Sequence, residues 1–334
     1  MKLFITGATG FLGKYLLEEL HSKYETIYVL TRKTHIPELE KFDNIVLVNG
    51  DITSPEIIHD SALRTEIRHN TDHILHAAAF YDLAASHAEC YLQNVVGTQN
   101  LLNLSLTFKQ LKAFLYISTI AVADEERYFL EENQLPKREK FKDHYSRTKY
   151  FAEKLVREHR FQEGLLIRIM RPGIIVGNSI NGNMDKIDGP YYFIEAFRKH
   201  AALLKSFKFI PLSYSSNTKM PIIPVDHCAR FISLAIERIN PQVKMETYHL
   251  ISDEVPSIAD FLSDLKECFH LNTKFIPVPK NLVHDNILHL LGIPKEVIPF
   301  MFSKITYDKT VTNRLLPEIL ESKYSLYKTS VIKK

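Results

Sequence analysis

Eight residues near the start of the chain, Thr6-Gly7-Ala8-Thr9-Gly10-Phe11-Leu12-Gly13, restrict the fold more than any other segment. An apolar run, Lys2 to Thr6, precedes the glycines and an amphipathic stretch, Phe11 to Leu20, follows, so they stand in a turn between a strand and a helix. At this G-x-x-G-x-x-G spacing Gly7 permits the tight turn, Gly10 lets backbone approach a ligand closely, and Gly13 lets helix pack on strand. The free N–H groups and positive dipole of the helix start then point at a pyrophosphate. A glycine-rich turn without a ligand is the competing reading of the spacing alone; the strand-turn-helix context favours the dinucleotide site.

The first half of the chain repeats this alternation. Lys2 to Thr6, Thr26 to Thr31, Asn44 to Val48, His73 to His76, Ala113 to Ser118 and Leu165 to Met170 read as strands. Phe11 to Leu20, Pro55 to Arg68, Ala88 to Thr107 and His144 to Arg160 read as helices, with Thr53 or Ser54 ahead of Pro55 as a helix start. The pattern predicts an α/β fold, a doubly wound Rossmann parallel sheet with a smaller C-terminal substrate lobe. Residues 1–175 are expected to form the cofactor domain and 176–334 mainly the substrate lobe, with about 221–252 returning to the sheet domain. TYHLIS near residue 250 is strand-like, and Ser257-x-x-Asp260 carries a capping-box signature for a further helix.

Composition excludes several classes. Forty-two Lys and Arg against 39 Asp and Glu leave a formal charge of +3, too small a bias to predict nucleic-acid binding or strong membrane adsorption. Cys90, Cys228 and Cys268 lie far apart without C-x-x-C spacing, which argues against a disulfide framework or a structural zinc site and predicts no metal. The N-terminus lacks the apolar length of a signal peptide, and no uncharged run reaches membrane-spanning length. A soluble cytoplasmic protein without an integral membrane segment is expected.

Two further features carry chemistry. The second strand ends in Thr31-Arg32-Lys33, where an NAD enzyme carries an acid for the ribose 2'-hydroxyl. A guanidinium grips a 2'-phosphate bidentately, and no carboxylate is read nearby, so NADP(H) is the expected cofactor. A solvated basic pair is the bland alternative. Tyr145-Ser146-Arg147-Thr148-Lys149 puts a phenol and an ammonium four residues apart on one helix face. A phenol needs a nearby cation to exchange a proton at neutral pH, which is the part assigned to Lys149. Taken alone, such spacing more often marks a surface tyrosine and a solvated lysine.

Taken in order, TGATGFLG, Gly50-Asp51-Ile52, His76-Ala77-Ala78-Ala79, NVVGTQNLL from Asn94, YIST from Tyr116, YSRTK and MRPGIIVG resemble the extended short-chain dehydrogenase/reductase family over nearly the whole chain. PIIPVDHCA, from Pro221 to Ala229, is similar to its substrate-lobe signature. The resemblance implies that Asp51 and Ile52 flank the adenine and that Ala77 to Ala79 line the ribose and pyrophosphate path. Asn94 then sits near the kink of the active-site helix, and Lys149 also holds the nicotinamide ribose. Pro172, Gly173 and Ile175 of MRPGIIVG belong to the same cofactor set. For the third catalytic hydroxyl the resemblance points to Thr119, with Ser118 left open, because Asp124 stands where the family has a glycine.

Within that family, ISTIAVA, AAAFYDLAA and MDKIDGPYYF resemble the branch of fatty acyl-CoA and carrier-thioester reductases, the male-sterility-like proteins. The implied activity is hydride transfer to the carbonyl of an acyl-CoA or acyl-carrier thioester, or of an aldehyde. Tyr191, Tyr192, Phe193 and Phe197, with the Leu282 to Phe302 segment, are candidate walls of an acyl tunnel, although at helical spacing each is more often core. Three other readings stand beside it: a nucleotide-sugar epimerase or dehydratase, for which Lys205, Lys208 and Arg230 are the candidate diphosphate ligands; a hydroxysteroid or flavonol-type ketone reductase; and a non-catalytic NADP-sensing protein. A homodimer is compatible with all of them. The basic stretch KYSLYKTSVIKK is expected to be a frayed tail.

Overall fold

A computed structural model describes residues 1–81, 86–123, 129–137, 140–141, 143–185, 187–279 and 292–333. Asp82 to Ala85 of AAAFYDLAA, Asp124, Lys186 of MDKIDGPYYF and residues 282–291 of the Leu282 to Phe302 segment lie outside the described residues.

Among the described residues seven strands form one sheet: β1 (Lys2–Thr6), β2 (Thr26–Thr31), β3 (Ile45–Asn49), β4 (His73–His76), β5 (Ala113–Ile117), β7 (Leu166–Pro172) and β11 (Met245–Leu250). Their order is β3-β2-β1-β4-β5-β7-β11 and every pairing is parallel. These are short, almost wholly apolar runs, as expected of strands covered on both faces. Alternation sorts their side chains: Leu3, Ile5, Leu115 and Ile117 join the core under α1 (Phe11–Leu20) and α7 (Val225–Glu237). Phe4, Phe114 and Tyr116 join the opposite core with α4 (Gly97–Ser105) and α5 (His144–Glu158). The order reverses between β1 and β4, so the crevice expected at such a switch point opens beyond the carboxyl ends of those strands.

Local structure departs from the sequence reading at two helices. The segment expected to be helical from Pro55 stays in turns until Asp60, whose carboxylate accepts from Ala62 N at 2.8 Å and Leu63 N at 2.9 Å and starts α2 (Ser61–Asn70). Asp51 holds the earlier turn by accepting from Thr53 N and Oγ1, and Ile57 and Ile58 are buried beneath it, so Thr53 and Ser54 start no helix. Ala88 to Thr107, read as one helix, is interrupted: α3 (His87–Cys90) runs into a π-turn over Tyr91–Val96 before α4 resumes at Gly97.

The second lobe has its own core. Between β6 (Phe129–Leu130) and the later elements the chain builds β8 (Ile174–Val176), α6 (Pro190–Lys205), β9 (Phe209–Ser213), β10 (Ile222–Pro224), α8 (Ile258–Cys268), β12 (Lys274–Val278) and β13 (Thr306–Tyr307). Ser257 and Asp260 form the reciprocal capping box at the start of α8. The terminal stretch is no frayed tail: Tyr324–Lys333 is a helix whose Tyr324, Tyr327, Val331 and Ile332 are buried in this core. Four apolar side chains on one face supply the burial that a solvated tail lacks.

Candidate active site

A cleft of about 850 Å³ lies along the carboxyl ends of the strands and is closed on its far side by the second lobe. Thr6, Gly7, Thr9, Gly10, Phe11, Leu12, Gly13, Arg32, Lys33, Asp51, Ile52, Ala77, Ala78, Ala79, Ser118, Thr119, Tyr145, Lys149, Pro172, Gly173 and Ile175 all line it. Of the residues singled out in the sequence for catalysis or cofactor binding, Asn94 alone stands behind the wall.

The glycine turn is built by contact. Gly7 has φ +77°, and a β-carbon there would come within 2.4 Å of Ala78 N; one at Gly13 would come within 2.1 Å of the Gly7 carbonyl oxygen. Thr6 Oγ1 meets His76 Nδ1 at 2.7 Å and accepts from Ala78 N at 3.2 Å, which ties the turn to the next crossover. The N-terminus of α1 has no side-chain cap and no acid in its first turn. Its N–H groups therefore face the cleft with donor capacity unmet by side chains, the donor set that a pyrophosphate satisfies.

At the β2 end Arg32 is exposed, with 74% of its side chain accessible, and its Nη1 lies 4.0 Å from Asp51 Oδ2. The expectation that no carboxylate stands near Arg32 is thus corrected. Asp51 is 19 positions further along the chain but is brought alongside because β2 and β3 are adjacent and the chain turns directly after β3.

The catalytic candidates meet where β5 faces α5. Asp143 caps α5 by accepting from Ser146 N at 2.6 Å, which sets Tyr145 in the first turn and Lys149 one turn further. Tyr145 hydrogen-bonds the Thr119 side chain; burial raises its phenol well above the ordinary range and Asp143 and Asp188 add to that, while the Thr119 bond pulls the other way. Ser118 is differently engaged, donating to Glu153 Oε2 at 2.6 Å. The buried Lys149 donates to the Ile117 carbonyl at 2.7 Å and lies 4.4 Å from the centre of the Tyr116 ring. Burial lowers its ammonium to about 7, against an upward pull from Glu153. Asn94, inside the π-turn, donates to Phe80 O and Thr148 Oγ1 and accepts from Phe80 N, fastening the Ala77 to Phe80 segment to α5.

Sequence reasoning missed the supports. Glu153, wholly buried, accepts from Arg171 Nη2 at 2.6 Å, Arg171 Nε at 3.0 Å, Arg157 Nε at 2.7 Å and Ser118. Burial by itself raises that carboxyl, but Arg171, Arg157 and Ser118 outweigh it and hold it at about 2. A signal was present: Glu153 follows Lys149 by four residues on the same helix face. Tyr81 was missed as well. Its ring meets Tyr145 edge-on at 4.6 Å and its hydroxyl donates to Asp188 Oδ1 at 3.0 Å, across the cleft.

The apolar wall differs from the expected tunnel. Phe193 and, from the Leu282 to Phe302 segment, Val297, Phe300 and Met301 line the cleft as expected, whereas Tyr191 and Phe197 are buried in the second lobe's own core with Tyr192 packed against it. Lys205, Lys208 and Arg230 do not line the cleft either; Lys219, not singled out in the sequence, does.

Residues 5–232 match the male sterility protein family of nicotinamide-dinucleotide-binding domains. The chain belongs to that family. It is 26% identical to nonribosomal peptide synthetase asaC of Aspergillus flavus over 95% of its own length and 34% of the relative's. To L-2-aminoadipate reductase of Saccharomyces cerevisiae it is 26% identical over 70% of its length, which is 18% of that enzyme. The chain thus spans a third or less of these relatives. A GDP-6-deoxy-D-talose 4-dehydrogenase of Aggregatibacter actinomycetemcomitans is 25% identical over 97% of the chain and 98% of the relative. Among solved structures, the terminal R domain of the myxalamid PKS-NRPS pathway superposes with a TM-score of 0.76 at 22% identity, over 99% of this chain and 90% of that one. The fold is that of an extended short-chain dehydrogenase/reductase, and the family accounts for a nicotinamide cofactor.

Proposed function

We propose that the chain is an NADPH-dependent reductase of acyl thioesters and of the aldehydes they yield. Residues 1–175 bind the cofactor in this reading and 176–334 mainly the substrate, with about 221–252 belonging to the sheet domain. The observation that carries it is the Thr119 and Tyr145 pair opening onto a cleft whose far wall is apolar, made by Phe193, Met220, Ile258, Phe261 and Leu262. Similarity to a yeast reductase of the same family supports the reaction class.

A reduced nicotinamide, when bound, supplies the hydride. Thr119 and Tyr145 hold the carbonyl oxygen as it gains charge, and Tyr145 gives it a proton. A phenol kept protonated by its surroundings suits a donor. With a thioester, the carbon gains one hydride and the oxygen one proton, then the C–S bond breaks and the thiol leaves with that proton restored to sulfur; the product is the aldehyde. Lys149 holds the cofactor ribose and, with an ammonium lowered to about 7, returns a proton to Tyr145. Arg32 takes the 2'-phosphate, for which its loose ion-pair contact with Asp51 must yield.

The sugar-nucleotide reading asks for convergent cations on the second lobe to hold a diphosphate. That wall offers Lys219 alone among the described residues. The test is to mix the protein with NADPH and acyl-CoAs of increasing length, following NADPH absorbance and free thiol together. Thiol release in step with oxidation, and affinity climbing by up to about 0.8 kcal/mol per methylene, is expected. Turnover of a nucleotide sugar without turnover of any thioester or aldehyde would overturn the assignment.

A further inference from the structure

Four cations line the cleft among the described residues: Arg32, Lys33, Lys149 and Lys219. Arg32 and Lys33 stand at the β2 end, and Lys149 is buried with its ammonium on the Ile117 carbonyl. Lys219 stands apart from all three on the second-lobe wall. Its backbone is held on both sides: Ile258 N donates to Thr218 O at 2.9 Å, Lys219 bridges Ser257, and Met220 N donates to Pro256 O at 2.9 Å. Lys219 thus lines the cleft from a fixed edge, exposed, in the same wall as Met220, Ile258, Phe261 and Leu262.

The acids that share the cleft are committed elsewhere. Asp51 accepts from Thr53 and pairs with Arg32, Asp143 caps α5, and Asp188 accepts from Tyr81. Asp260, the carboxylate whose field Lys219 does reach, is bound into the capping box by the backbone N–H and hydroxyl of Ser257. Lys219 makes no ion pair among the described residues. Because Lys219 is exposed, its ammonium stays hydrated until a ligand fills the cleft; an anion brought beside it there meets a cation that no neighbouring carboxylate already neutralises.

We propose that Lys219 is the docking point for a single anionic group of the substrate, either a carboxylate on the acyl chain or a phosphate on the thiol side. The inference rests on reading the second-lobe wall as the substrate wall, and it adds to that reading that the substrate is not purely apolar. A lone ammonium matches one carboxylate or one phosphate monoester; it does not make the paired clamp a diphosphate takes.

The experiment measures binding rather than turnover, so it reports on Lys219 whether or not thioesters are reduced. NADPH-saturated protein is titrated with two pairs of probes, 4'-phosphopantetheine against pantetheine and decanoate against decanamide, for the unaltered chain, Lys219→Met and Lys219→Arg. In one of the pairs the unaltered chain is expected to favour the anionic member by about tenfold, the size of one charge-assisted hydrogen bond. Lys219→Met should remove most of that preference and Lys219→Arg should keep it, with NADPH binding the same in all three. The phosphopantetheine pair responding identifies a thiol-side phosphate; the decanoate pair responding identifies a carboxylate on the acyl chain. No preference in either pair, or a preference that survives Lys219→Met, overturns the proposal. Failure of the separate turnover assay alongside a Lys219-dependent preference would instead sink the thioester reading alone.

Discussion

The two walls of the cleft use charge in opposite ways. Behind the sheet wall Glu153, Arg157 and Arg171 interlock with the cleft-lining Ser118, so that the buried carboxylate of Glu153 meets two guanidiniums and a hydroxyl. On the second-lobe wall apolar side chains predominate, Asp188 is engaged by Tyr81, and the ammonium of Lys219 has no ion-pair partner among the described residues. A charge taken out of water is tolerated only when its partners replace the water, which makes the first wall rigid and indifferent to ligand chemistry. The second wall places no such demand on its own residues and leaves its interactions for whatever enters. Orientation of the reacting groups is thus concentrated on one side and selection of the substrate on the other.

The largest expected effect breaks the first wall. Glu153→Ala leaves Arg171 buried without its main partner and should lower unfolding free energy by about 3–5 kcal/mol, read by urea denaturation at pH 7. Because Glu153 titrates at about 2 when folded, below the ordinary 4.5, its contribution is present above pH 4.5 and lost as the pH falls from there toward 2. The unaltered protein and the variant should therefore converge in stability on acidification. A variant as stable as the parent at pH 7 would mean that the interlocked charges are not what holds the sheet wall.

Next comes the chemistry mounted on that wall. Tyr145→Phe deletes a hydroxyl while keeping the ring against Tyr81, and should cut turnover by about 10²- to 10⁴-fold with NADPH affinity nearly unchanged. Lys149→Ala should damage both, since it is assigned to the ribose and to the proton path. Retained turnover in Tyr145→Phe would remove the phenol from the reaction. In the unaltered protein, reduction should slow as pH rises through about 7, where Lys149 gives up its proton; a rate flat from pH 6 to 9 would contradict that proton path.

The smallest effect belongs to the exposed end. Arg32→Ala should narrow the preference for NADPH over NADH by about tenfold, and Asp51→Asn should widen it by freeing Arg32 from its 4.0 Å neighbour. Equal Kd values for the two cofactors in the unaltered chain would dispose of the preference altogether.

How much of this was legible beforehand follows the range of the interactions. Local pattern was enough for β1, β2, β4 and α1, whose bounds coincide with the apolar runs that form them. It misplaced the start of α2, because Asp60 caps better than Thr53 or Ser54 once Ile57 and Ile58 are buried. The π-turn at Asn94 was invisible, since it is held by Phe80 and by Thr148, 54 residues away. Covalent order by itself determined the glycine turn, the period of the sheet and the Tyr145 to Lys149 spacing, all of which depend on neighbours within a turn or two of chain. Only the tertiary structure decided that Thr119 rather than Ser118 meets the phenol, that Asp51 stands beside Arg32, and that Lys219 faces the cleft while Lys205, Lys208 and Arg230 do not line it. Those outcomes depend on which distant segments are brought alongside, and a side chain's partner across the fold leaves no periodic trace in its own stretch of sequence.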